Sequence, residues 1–214
     1  MVDLIRLILG CIILSYASYT DLKYREASNK LWLIMGIAGI VLLFYENKEW
    51  EKIVISLSIS FPLAFLLYFF GMGGADVKAM WGISILSPLP PNLSIFKSLI
   101  FIFPITVLIN SLLLIIPLPI IFFFYNLFKK NIEFPYCFFG YKLKAYEAKN
   151  KFVWSMEGKE GKSIFPIKDF DFNSFDNREI WVTPKLPFLL FLFIGFLVSF
   201  IFGDILFAFL SLFQ

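Results

Sequence analysis

Apolar stretches of membrane-spanning length occupy most of this chain, and they leave few folds open to it. Hydrophobic residues make up 59% of its 214 residues, and the mean hydropathy is +0.81. A soluble domain could not bury so much apolar surface, whereas a chain that crosses a bilayer several times requires it. The composition therefore predicts a mainly α-helical, polytopic membrane protein in direct contact with the lipid bilayer. A net charge of only +3 argues against binding to nucleic acid.

A spanning helix needs roughly 17–25 mostly apolar residues, and about six stretches meet or approach that length. The fifth stretch contains three prolines, so it is either one kinked helix or a tight helical hairpin. The predicted spans are 2–20, 30–45, 53–70, 78–90, 96–128 and 187–213.

The distribution of basic residues predicts the orientation, because cytoplasmic loops carry an excess of Lys and Arg. If the N-terminus is outside and there are six spans, fifteen of the 19 Lys and Arg residues lie inside. Asp21 then ends the first helix on the cytoplasmic side, and Asp76 lies between the third and fourth spans on the same side. Residues 1–131 form the predicted transmembrane bundle.

Residues 132–186 break the apolar pattern. Strand-like runs at 151–156 and 162–167 flank a Gly-rich turn, and 180–183 is typical of a further strand. We expect a small antiparallel β-sheet domain on the cytoplasmic side, followed by a final transmembrane helix at 187–214. Acidic side chains in this segment could attract a basic peptide or form an ordinary solvated loop; they are Asp169, Asp171 and Asp176.

Asp21 and Asp76 are the candidate catalytic residues, since acidic side chains beside membrane-length apolar stretches usually have a function. Two close carboxylates cannot both ionise readily, so such a pair holds one proton between them. The ionised member can deprotonate a water molecule while the protonated one polarises a peptide carbonyl. This chemistry needs no metal and no cofactor. The chain contains no histidine, which excludes the usual Ser-His, Cys-His and HExxH mechanisms.

Glycines precede the second aspartate at positions 71, 73 and 74. Gly71, Gly73 and Gly74 remove side-chain bulk and permit unusual backbone angles, so an extended substrate could approach the backbone here. A tight turn between two helices would explain the same glycines without any function.

The residues around both aspartates resemble the motifs of type IV prepilin peptidases and archaeal preflagellin peptidases. The segment 21–29 is similar to their first motif, and 73–78 resembles their GxGD motif followed by Lys78, with Ala75 directly before the aspartate. The resemblance implies an intramembrane aspartyl endopeptidase with a catalytic dyad of Asp21 and Asp76. It implies that the protease removes short basic leaders (class III signal peptides) from preflagellin or prepilin precursors at the cytoplasmic face of the cell membrane. The absence of a paired-cysteine, zinc-binding region favours the archaeal branch.

Other interpretations remain open at this stage. Lys78 could favour an ionised Asp76 or reach lipid phosphates, and Asn29 could cap the second helix or hydrogen-bond in the site. Asp204 is expected to be interfacial or structurally paired. A proton- or ion-coupled transporter is the alternative function, although it would favour acids near the bilayer midplane and repeated halves. A non-enzymatic scaffold would leave both aspartate motifs unexplained.

Overall fold

The computed structural model describes residues 1–45, 49–96, 100–158, 161–167, 170 and 178–211. The chain forms two compact units, one comprising Met1–Leu114 with Pro187–Gln214 and the other Ile115–Leu186. The second unit begins earlier than the predicted boundary at 132, because the helix before that boundary packs against the segment that follows it. The predicted acidic residues Asp169, Asp171 and Asp176 lie outside the described residues.

The first unit is helical. Four helices follow one another from the N-terminus, a fifth comes after an irregular stretch, and two more close the unit. They are α1 (Val2–Tyr24), α2 (Asn29–Phe44), α3 (Trp50–Phe69), α4 (Gly74–Leu86), α5 (Phe103–Leu113), α8 (Phe188–Ile201) and α9 (Ile205–Leu210). The second unit contains α6 (Leu118–Phe128) and a short α7 (Ala145–Ala148).

Within the described residues, three helical stretches are long and apolar enough to cross a membrane. They are Val2–Tyr24, Trp50–Phe69 and Phe103–Phe128, the last of which includes the turn between α5 and α6. The helices Asn29–Phe44 and Phe188–Ile201 are apolar but shorter.

Prolines mark the starts of α5 and α6. Pro104 lies in the first turn of α5, and α6 begins directly after Pro117. Proline is favoured in a first turn because its missing N–H would have no partner there. The apolar stretch 96–128 is therefore interrupted by a turn at 114–117.

Two predicted helix boundaries were wrong. The fourth helix begins at Gly74 rather than 78, so Asp76 lies in its first turn and not in the preceding loop. A carboxylate is stabilised there by the unpaired N–H groups at a helix N-terminus. The predicted single last helix is two helices, because Gly203 adopts φ 82 and Asp204 starts a new helix.

The packing of α1, α8, α2 and α4 gathers the polar helix ends at one level. Ser18 near the end of α1 donates a hydrogen bond to the Leu189 carbonyl at the start of α8, at 3.0 Å. Helices α2 and α4 run in the same direction. They pack closely towards their C-terminal ends, where a Cβ at Gly39 of α2 would lie 2.7 Å from the Ile85 backbone of α4. The C-terminal end of α1 therefore lies at the same end of the unit as the N-termini of α2, α4 and α8.

The second unit confirms the predicted antiparallel sheet. The predicted hairpin is β2 (Val153–Gly158) with β3 (Gly161–Ile167), and the third predicted strand is β4 (Glu179–Pro184), which pairs with β2. A strand that the sequence did not indicate, β1 (Tyr141–Lys144), pairs with β4 and completes the order β1-β4-β2-β3.

Asn126 explains why α6 belongs to the sheet unit. Its buried amide donates hydrogen bonds to the carbonyls of Phe122, Cys137 and Gly140, at 2.9, 2.9 and 2.7 Å. One side chain thus links α6 to the turn that leads into β1. Buried backbone carbonyls need such partners, since leaving one unpaired costs about 1–3 kcal/mol.

Glu133 joins distant parts of the same unit. Its carboxylate accepts hydrogen bonds from the Lys162 ammonium on β3 and from Trp181 Nε1 on β4, the latter at 2.9 Å. The Lys142 ammonium lies 4.0 Å away. These hydrogen bonds hold the pKa of Glu133 below its usual range, and the one from Lys162 has the larger effect, ahead of the one from Trp181.

We predict that Glu133→Gln lowers the free energy of unfolding at neutral pH but not in acid. A carboxylate whose pKa is lowered by folding stabilises the fold above its unfolded pKa of about 4.3, and this contribution is lost as the pH falls through the folded pKa. The effect should stay below about 1 kcal/mol because the carboxylate is partly exposed. Unfolding in detergent, followed by tryptophan fluorescence at pH 7 and pH 3, measures it.

The matched control is Glu179→Gln, which removes an exposed carboxylate at the start of β4. An equal loss for Glu133→Gln at both pH values would contradict the role assigned to its charge.

Candidate active site

Asp21 lies in the last turn of α1, where the helix leaves its apolar surroundings. The helix ends because Arg25 adopts the left-handed conformation with φ 57, and the Arg25 N–H donates to the Asp21 carbonyl at 2.9 Å. The Asp21 carboxylate is half-buried and interacts with the Leu189 backbone N–H of α8 and with the Arg25 charge. Asp21 is therefore held between the end of one helix and the start of another.

Asp76 lies in the first turn of α4 and its carboxylate folds back onto Gly73. A Cβ at Gly73 would lie only 2.7 Å from Asp76 Oδ2. The Gly73 backbone also hydrogen-bonds to the carboxylate. A larger residue at position 73 would therefore displace the Asp76 carboxylate from this position.

The two carboxylates occupy the same end of the unit. Helices α1 and α4 contact each other, with Asp21 in the last turn of α1 and Asp76 in the first turn of α4. The structure therefore brings together the two residues that the sequence singled out. A pair of this kind can hold one proton and activate a water molecule for attack on a carbonyl group.

The other glycines differ in their surroundings. Gly71 adopts φ 96, in the left-handed region that favours glycine, and a Cβ there would meet nothing within 4 Å. Gly74 begins α4, and a Cβ there would make an ordinary contact of 3.9 Å with the Tyr68 ring. Gly71, Gly73 and Gly74 are all exposed, so the turn before Asp76 presents accessible backbone.

Lys78 faces Asn29 across the gap between α4 and α2. Its ammonium donates a hydrogen bond to Asn29 Oδ1 at 2.8 Å. Of the two roles open to Asn29, capping is wrong: Ser28 is the N-cap of α2, and its side chain accepts from the Lys30 N–H at 3.4 Å. Asn29 instead links the first aspartate motif to the second.

A cavity of about 250 Å³ lies between α3 and α4, beside the glycine turn. Its walls are mainly apolar and aromatic, with Lys78 as the charged residue among them. The lining residues are Phe65, Tyr68, Gly74, Val77, Lys78 and Trp81.

Two site features were missed at the sequence level. Ser18 lies three residues before Asp21, one helical turn away, and its buried hydroxyl fixes α8 beside the carboxylate. The spacing of three residues could have indicated from the sequence that Ser18 lies on the same helix face as Asp21. The position of the Leu189 backbone N–H beside Asp21 could not be predicted, since every residue except proline carries such a group.

No metal site is visible in the part of the chain that the structure describes: no three His, Cys, Asp or Glu residues there could hold an ion together. Asp204 plays a structural part at a helix end, where its side chain accepts from the Phe207 N–H at 3.0 Å. It is buried, and it caps α9 as an ordinary N-cap residue.

Comparison with known proteins decides the family. Residues 8–120, which contain both aspartates, match the type IV leader peptidase family, and residues 166–205 match the archaeal peptidase A24 C-terminus of type II. The chain belongs to the type IV leader peptidase family. It is accordingly a peptidase, and the transporter alternative is not supported.

Two of the following relatives match over almost the whole length of both chains. A preflagellin peptidase of Methanocaldococcus jannaschii is 35% identical over 98% of this chain and 99% of the relative. A preflagellin peptidase of Methanococcus maripaludis is 30% identical over 97% and 99%. A prepilin peptidase of Methanothermobacter thermautotrophicus is 25% identical over 60% of this chain and 37% of the relative.

We predict that Gly73→Ala lowers peptidase activity by roughly 10- to 100-fold, since displacing a reacting group by about 1 Å has effects of that size. The new Cβ would lie 2.7 Å from Asp76 Oδ2 and force the carboxylate to move. Initial rates of precursor cleavage in detergent measure the loss.

Gly36→Ala in α2 is the matched control, because its Cβ would make only an ordinary contact of 3.6 Å with Ile85. If Gly73→Ala cleaves as fast as Gly36→Ala, the carboxylate position in the structure is not the one that matters for catalysis.

Proposed function

We propose that this leader peptidase is an aspartic endopeptidase that removes the short basic leader from preflagellin or prepilin-like precursors, with Asp21 and Asp76 as its catalytic dyad. One observation carries the proposal: aspartates from two separate motifs lie at the same end of the helical unit, beside an exposed glycine turn. The names of the relatives as preflagellin and prepilin peptidases support the substrate class.

The chemistry follows from one proton shared by two carboxyl groups. The ionised aspartate takes a proton from a water molecule, whose oxygen attacks the carbonyl carbon of the scissile peptide bond. The protonated aspartate donates its proton to the carbonyl oxygen, giving a neutral tetrahedral intermediate. When that intermediate collapses, the aspartate that took the proton from water gives it to the leaving nitrogen, the C–N bond breaks, and the other aspartate takes a hydroxyl proton from the intermediate, which leaves a carboxyl group and an amine and restores the dyad. These steps require no cofactor and no metal.

The glycine turn supports substrate binding in this proposal. A helical peptide bond is shielded and its polar groups are already hydrogen-bonded, so the precursor must be extended at the bond that is cut. Gly71, Gly73 and Gly74 present backbone without side-chain bulk next to Asp76. An extended segment can therefore approach this turn closely.

The membrane arrangement extends the same proposal. Six spans with the N-terminus outside would place Asp21 and Asp76 at the cytoplasmic face of the cell membrane, and the sheet of residues 132–186 on the same side. Two features support it: apolar helices follow one another along the chain, and the basic residues concentrate beside Asp21 and after α6. The apolar part of a class III signal peptide would then lie in the bilayer with its basic leader in the cytoplasm.

We expect Asp21→Asn and Asp76→Asn each to lower cleavage of a preflagellin precursor by about 10²–10⁴-fold, the usual range for losing a general acid or base. Either change leaves a single carboxyl group, which cannot act as base and acid at once. Processing of the precursor in membranes, resolved by gel mobility, gives the readout.

Glu26→Gln is the control, since it removes an exposed carboxylate from the same end of the unit. Wild-type rates in both aspartate variants would show that the dyad is assigned wrongly. A panel of flagellin and pilin precursors in the same assay separates the two substrate classes.

A further inference from the structure

The hydrogen bond between Lys78 and Asn29 is a direct side-chain link between the two aspartate motifs. Asn29 is the first residue of α2, and Lys78 follows Asp76 by two positions on α4. The distance from Lys78 Nζ to Asn29 Oδ1 is 2.8 Å. Hydrogen bonds in which one partner is charged are stronger than neutral ones, so this link is worth more than an ordinary surface contact.

Directly before α4 the chain makes a glycine turn, whereas Val77 in the first turn of the helix is buried in the core. Gly71 and Gly73 are exposed, and a side chain at Gly71 would meet no neighbour within 4 Å. On its α3 side, α4 is held one turn further along, where Trp81 Nε1 donates to the Phe61 carbonyl at 3.2 Å. The rings of Phe61 and Trp81 also stack there, with centroids 5.7 Å apart.

These contacts fix α4 from two sides. The stacked pair holds α4 to α3, and the Lys78–Asn29 bond holds its first turn to α2. Asp76 is part of that first turn, so its distance from Asp21 depends on how the turn is rotated and placed. Asn29 is an amide and leaves the Lys78 charge intact, which distinguishes the pair from a salt bridge that would neutralise it.

We propose that Asn29 and Lys78 form a positioning pair that holds the Asp76 carboxylate in the correct position relative to Asp21 for peptide cleavage. This inference rests on the proposed function of the dyad. Neither residue touches the reacting atoms: Lys78 acts through the placement of α4, and Asn29 acts through Lys78. The pair therefore affects the rate of the chemical step more than the binding of the precursor.

A double-mutant cycle tests the pair in the full-length protein, with cleavage of a preflagellin precursor as the assay. Asn29→Ala and Lys78→Met should each lower kcat about tenfold, as expected for losing one hydrogen bond to a charged group. KM should change by less than about twofold, since binding is not affected. The double variant should be no slower than either single variant, because both remove the same bond.

Conservative variants distinguish positioning from a merely structural role. Asn29→Asp keeps an acceptor and Lys78→Arg keeps a donor, so both should retain most of the wild-type kcat. Lys30→Ala, which removes the neighbouring exposed cation, should leave kcat unchanged. Thermal unfolding in detergent should be the same for all variants within experimental error.

Two results would overturn the proposal. One is independent, multiplicative loss in the double variant, and the other is wild-type kcat in Asn29→Ala. Asp21→Asn and Asp76→Asn in the same assay separate this failure from that of the proposed function. If both aspartate variants are inactive while Asn29→Ala is not, only the positioning pair is refuted.

Discussion

The approach of two carboxylates at one end of a bundle of apolar helices is the constraint on which the rest of this structure depends. Acidic side chains are costly near lipid and must find polar partners there. Asp21 has the Leu189 backbone and Arg25 near it, and Asp76 has Gly73. Arg25 and Gly73 are neighbours in the chain, whereas Leu189 is available only because α8 begins beside the end of α1.

Close helix packing keeps that level fixed. Between helices in lipid there is little hydrophobic driving force, so contact relies on small residues and hydrogen bonds. A Cβ at Gly195 of α8 would lie 2.1 Å from Ser111 Oγ of α5, and one at Gly10 of α1 would lie 2.3 Å from the Phe196 ring. The glycines let α8 lie tightly against both neighbours, which places Leu189 beside Asp21.

The sheet unit is stabilised differently. It has little apolar core of its own, with small clusters around Val153 and around Trp181. Polar side chains with several partners compensate for this. The Asn126 amide nitrogen lies within hydrogen-bond distance of three backbone carbonyls, and the Glu133 carboxylate accepts hydrogen bonds from side chains on two strands. Single residues thus connect segments that are separated in the sequence. A thin core makes such links important, since a short segment buries little apolar surface.

The sequence alone determined the membrane class, the two aspartates, the glycine turn and three of the four strands, because hydrophobic pattern and turn residues are local properties. Tertiary structure decided the rest. The partner of Asn29 and the pairing of β1 both depend on residues distant in the chain. A side chain such as Asn29 can satisfy its amide in several ways, and only the folded arrangement of α2 against α4 selects Lys78.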